Sequence, residues 1–158
     1  KKTKLSVELD ISSIRTQLLD FLNAENLMEK YVSPESVCFS NMEYGVATLE
    51  KLQIYVTKCT DKLYIKPFHV LIDHSKLMWE RLNCLLDCGI EINSFITAYG
   101  NLLECAKNLT PLVIKFNIRG TEKLKNMIYK TLFHFIEEEK KIIQGVLSKI
   151  DESFTKEK

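Results

Sequence analysis

Helix breakers decide what this chain can fold into. Only three prolines and five glycines occur in 158 residues. Most stand where a helix should begin or end: Ser33-Pro34-Glu35, Pro67 at the head of an apolar-periodic stretch, Thr110-Pro111, Gly89 after Asp87-Cys88, and Gly120 after Arg119. Proline is tolerated in a first helical turn because its missing N–H has no intrahelical partner there. A Ser or Thr just before it can cap the same helix. Glycine is favoured just past a helix C-terminus. The pattern predicts an all-α helical bundle of four to five amphipathic helices with a long C-terminal helix.

Apolar spacing places these helices along the chain. Asp10 caps a first helix whose face is Ile11, Ile14, Leu18, Phe21 and Leu22. This helix reaches toward Leu27 and Tyr31, with Asn23 and Asn26 marking a break. A second opens at Ser33-Pro34-Glu35 and carries Met42, Val46, Leu49, Leu52, Val56, Cys59 and Leu63. The third, from Pro67, carries Phe68, Leu71, Met78, Leu82 and Leu85, and the single tryptophan, Trp79, is expected in its core face. The fourth runs through Ile92, Phe95, Ile96, Tyr99, Leu102, Leu103, Ala106 and Leu109. It is expected to stop at Thr110-Pro111, leaving 112–118 as a separate short helix or strand. Thr121 caps the last helix, which runs to about Phe154, roughly 50 Å. Its seam is Ile128, Leu132, Phe135, Ile142, Val146 and Ile150, and Glu139 interrupts it.

An apolar fraction of 46% and a charged fraction of 27% fit one globular domain across 1–158. Residues 1–9 read as a flexible basic tail and 155–158 as a charged one. The chain opens on Lys1 with no signal-peptide core, which suggests a domain excised from a larger chain. No apolar run reaches the roughly 18–20 residues of a membrane span. A net charge of +1 removes any bulk electrostatic argument for nucleic acid or a membrane surface. Five cysteines (Cys38, Cys59, Cys84, Cys88 and Cys105) form no C-x-x-C pair and read as reduced core thiols of an intracellular protein in cytoplasm or nucleus. The single sequon, Asn108-Leu109-Thr110, precedes proline and carries little weight.

Catalytic patterns are sparse. His69 and His74 lie five apart on different helix faces, and Asp73-His74 are neighbours that do not face each other. His134 has Glu137 and Glu138 within one turn, which reads as an intrahelical hydrogen bond. Thr131 stands where a Glu-x-x-His metal motif needs glutamate. Cys84 and Cys88 share a face, but two further zinc ligands are missing. Phosphate loops and nucleophile elbows are absent. The expectation is therefore a non-enzymatic chain with no cofactor and no metal.

Two features point to binding. Lys115, Arg119, Lys123, Lys125 and Lys130, offset by Glu122, straddle the start of the last helix. There they suit an acidic or phosphate-bearing partner. Ile142, Val146, Leu147 and Ile150 lie in the far half of that helix; they form an apolar stripe for a partner helix if it projects from the bundle, or core if the N-terminal helix covers them. The leading expectation is an intracellular scaffold or adaptor domain, a complex subunit that binds another protein through a helix face, with homo-oligomers allowed. The alternative is a helical carrier of a lipid or other small hydrophobic ligand with an anionic headgroup. A secreted four-helix cytokine is a third reading, disfavoured by the odd cysteine count.

Overall fold

The computed structural model describes residues 10–25 and 43–156. They form α1 (Ile11–Leu22), α2 (Gly45–Lys58), α3 (Lys66–Asp87), α4 (Asn93–Arg119) and α5 (Glu122–Lys156), with no strand among the described residues. The expected Ser33-Pro34-Glu35 start, Met42 and Cys38 lie outside them, as do Leu27, Tyr31 and residues 1–9.

Local chemistry sets the ends. Asp10 caps α1 by accepting Ser12 N–H at 3.0 Å and the Ser13 hydroxyl at 2.5 Å. The helix closes with Glu25 N–H on the Asp20 carbonyl, a six-residue return that puts Ala24 at φ 56. Pro67 lies in the first turn of α3, and Gly89, at φ 87, ends it with Ile90 N–H on the Leu85 carbonyl. α5 begins directly after Thr121, whose carbonyl accepts Leu124 and Lys125 N–H.

Two boundaries correct the sequence reading. α4 does not stop at Pro111 but runs unbroken to Arg119. Leu109, Val113 and Phe116 continue its buried stripe while Pro111 stays exposed; the ring removes the bond to the Lys107 carbonyl and crowds that oxygen. Burial of three large side chains outweighs that loss. α2 ends at Lys58, before Leu63, which is buried from the following loop.

The arrangement is a four-helix bundle whose first member is split. Along α5, Lys125 Nζ meets the Thr57 carbonyl, Lys140 meets Glu50 and Asp151 meets Arg15. The partner numbers fall as α5 advances, so α2 and then α1 lie end to end and antiparallel to it. α4 contacts both α3 and α5. Asn117 on α4 exchanges two hydrogen bonds with the Leu63 backbone, both at 2.8 Å, which pins the α2–α3 loop beside the α4–α5 turn. At 35 residues, α5 is about 52 Å long. It needs both short helices to cover it.

Candidate functional site at the helix break

Where α1 gives way to α2, the described residues leave an open space. A pocket of about 590 Å³ opens there, lined by Phe21 of α1; Gly45, Thr48, Leu49, Leu52 and Tyr55 of α2; and Pro67, Val70, Leu71 and His74 of α3, with Tyr64 and Lys51 beside them. Aliphatic and aromatic carbon dominates the wall.

The break is held closed by backbone. Gly45 sits at φ 52, and a Cβ there would stand 2.2 Å from the Phe21 carbonyl oxygen. Only glycine lets α2 start against the last turn of α1. On the far side, the Phe21 ring stacks on His74 with centroids 5.2 Å apart. The Tyr55 hydroxyl accepts Tyr64 N–H at 2.9 Å, tying the loop to α2. The Thr48 hydroxyl donates to the Glu43 carbonyl, and Lys51 pairs with Glu43 at 3.1 Å.

Behind His74 lies a polar layer that each remaining helix helps to build. Glu139 of α5 is buried at 1% exposure. Its Oε1 accepts the Tyr99 hydroxyl from α4 in a short hydrogen bond, and lies 2.9 Å from His74 Nε2 of α3. With a carboxylate as acceptor, Nε2 carries a proton toward Glu139, and Nδ1 is the ring's other polar edge. Burial, then the charge of Glu139 and its hydrogen bond, push the Tyr99 phenol far above the ordinary tyrosine range, so it remains a donor. Glu139 Oε2 is buried without a hydrogen-bond partner. A buried carboxylate so placed is costly and fixes the register of α3, α4 and α5 at this level. Among the described residues His74 is thus the only ionisable ring that both lines the pocket and touches the layer.

The sequence-derived candidates fall elsewhere. Ile142, Val146, Leu147 and Ile150 are buried in the core and contribute no surface stripe, because α1 covers the far half of α5. Lys115, Arg119, Lys123 and Lys130 are exposed, while Lys125 reaches across to the Thr57 carbonyl at 2.9 Å. Trp79 is on the surface at 37% exposure, lying against Gly100, not in the core as expected. Cys84 and Cys88 are exposed rather than core thiols; Cys59 and Cys105 are half-buried. His134 is exposed, and its neighbour Glu138 pairs with Lys141 at 2.6 Å. Among the described residues no group of three or more His, Cys, Asp or Glu is placed to hold a metal ion, and no helix is long and apolar enough to cross a membrane.

His74 was missed by sequence because its partner lies 65 residues away. The usable signal was Glu139 itself, a charge on an otherwise apolar seam. Comparison of the chain with protein-family models, with curated proteins and with solved structures finds no match.

Proposed function

We propose that this domain binds a small, largely apolar molecule in the pocket at the α1–α2 break. The observation that carries the reading is the cavity itself. Its volume of about 590 Å³ falls inside the roughly 300–1,000 Å³ of pockets that take small molecules, and its wall pairs apolar carbon with few polar groups. Burial of ligand carbon supplies affinity at about 25 cal/mol per Å². His74 supplies direction: with Nε2 committed to Glu139, the ring remains a polar group in the pocket wall that can meet the polar end of a ligand. Lys51 at the rim is paired with Glu43 and would meet an anionic end group only by giving up that partner. The reading is that of a hydrophobic-ligand carrier.

Titration with the neutral fluorophore N-phenylnaphthylamine tests it. Thr48→Trp and Val70→Trp place bulk on opposite walls at exposed positions, so both variants should fold. Saturable binding by the native protein, weakened at least about tenfold in both variants, supports the reading. Equal binding by all three proteins, or none by the native one, ends it.

Docking of another protein is the second reading. Val70 and Leu77, two turns apart on α3, are 59% and 63% exposed. A partner helix laid along that row would be lost with Leu77→Asp while fluorophore binding is kept.

A further inference from the structure

One end of the bundle concentrates positive charge. The C-terminal turns of α2 and α4 and the first turns of α3 and α5 converge there, pinned by the Leu63–Asn117 hydrogen bonds and by Lys125 on Thr57. This convergence gathers Lys58, Lys62 and Lys66 from one connection with Lys115, Arg119, Lys123 and Lys125 from the other. Among the described residues only Asp61 and Glu122 in these connections oppose them, a local balance of +5 in a chain whose total is +1.

The pairing pattern sharpens the contrast. Elsewhere Arg15, Lys51, Lys76, Lys107, Lys140, Lys141 and Lys149 sit in ion pairs with carboxylates, while Arg81 and Lys130 do not among the described residues. Among the described residues none of the seven cations at this end does. Lysine and arginine in the last turns of α2 and α4 complement the helix dipoles, but that accounts for only some of them. The same end also carries exposed apolar side chains. Ile118 is 78% and Tyr64 77% exposed, and Ile114, one turn before Ile118, is 43% exposed.

We propose that this end of the bundle docks on an anionic lipid surface, with the lysine and arginine side chains meeting headgroups and Ile118 and Tyr64 entering the interface. Unpaired cations around protruding apolar tips match what such a surface offers: negative charge at its plane and hydrocarbon just beneath. A nucleic acid backbone would satisfy the cations but gives Ile118 nothing to enter. The inference stands apart from the pocket reading. Tyr64 belongs to both, however, so a pocket ligand would be exchanged close to the surface the domain rests on.

Co-sedimentation with vesicles of phosphatidylcholine alone, or with about a third phosphatidylserine added, tests this. Two variants are compared with the native chain: Lys115→Glu/Arg119→Glu/Lys123→Glu, and Ile118→Ser. All four positions are exposed, and circular dichroism verifies the fold. Each cation near such a surface is worth about 1 kcal/mol, roughly fivefold in affinity, so the triple reversal should weaken binding at least about a hundredfold. Ile118→Ser should weaken it several-fold with the salt dependence unchanged. Native binding confined to the anionic vesicles, with both losses, supports the proposal. Absence of vesicle binding at low salt, or full binding by the triple variant, overturns it. Tight binding of a duplex oligonucleotide with no effect of Ile118→Ser also overturns it, in favour of a nucleic acid surface. Because fluorophore titration is read without vesicles, failure here leaves the pocket reading intact, and the converse holds.

Discussion

Removing one oxygen from Tyr99 should cost this domain a large part of its stability. The ring is fully buried, and its hydroxyl donates to a carboxylate that is itself 1% exposed, with the second carboxylate oxygen unpartnered. In Tyr99→Phe the packing is nearly unchanged, but Glu139 keeps only His74. A hydrogen bond to a charged group contributes about 1.5–3 kcal/mol, and a buried acceptor stripped of a donor sits at the upper end. The expected loss is about 2–3 kcal/mol, against a total near 5–15 kcal/mol for domains of this kind. That corresponds to a Tm lower by about 5–10 °C. Glu139→Met removes the charge at similar length, so in that background the Tyr99 hydroxyl has no acceptor to serve. There, Tyr99→Phe should cost less than about 0.5 kcal/mol or even stabilise, giving a coupling near 2 kcal/mol in a urea-denaturation double-mutant cycle. Additive losses, or a single-mutant cost under about 0.5 kcal/mol, would refute the reasoning: Glu139 would then be solvated and the layer would not join the helices.

Three further perturbations read other parts of the account. The raised phenol of Tyr99 stays protonated in the fold while the unfolded phenol titrates near its ordinary 10.0, so its contribution is whole below that pH and falls above it. Urea midpoints taken from about pH 9 to 11 should show native stability nearly level below pH 10 and falling above it, by about 1.4 kcal/mol in all over that range beyond the decline of Tyr99→Phe. Pro111→Ala should return an N–H to the Lys107 carbonyl and raise stability by about 1–3 kcal/mol, seen as a higher Tm; no rise would mean that α4 bends to suit the ring. Gly45→Ala sets a Cβ against the Phe21 carbonyl at φ 52 and should cost more than about 2 kcal/mol while weakening fluorophore binding, since both residues line the pocket.

Where a feature rested on local chemistry, the sequence carried it. Asp10 as a cap, Pro67 in a first turn, Gly89 past a C-terminus and the α5 seam all follow from neighbours within about one helical turn. Pro111 defeated the same reasoning because a tertiary stripe, Leu109 to Phe116, outweighs one missing hydrogen bond. Trp79, Cys84 and Cys88 were misplaced for a related reason: residue type suggests burial, but their helical phase is set by which side α4 covers. Ile142, Val146, Leu147 and Ile150 were legible as apolar, yet their covering depended on α1 lying in line with α2 across an intervening stretch of chain. The pocket and the charged end were harder still. Asn23 marks the end of the first helix but not the open space beside it, and a net charge of +1 conceals an end of +5 until two connections far apart in sequence are brought together. Lys115 to Lys130 showed half of that surface; Lys58, Lys62 and Lys66 needed the fold.

The most direct test of the central claim is native mass spectrometry of the domain purified from its own cells, beside Val70→Trp purified the same way. The account predicts a bound small molecule on the native protein that organic solvent extracts, that proves largely apolar with one polar end, and that is depleted from the variant. A native protein carrying no adduct, or an adduct retained equally by Val70→Trp, would contradict it.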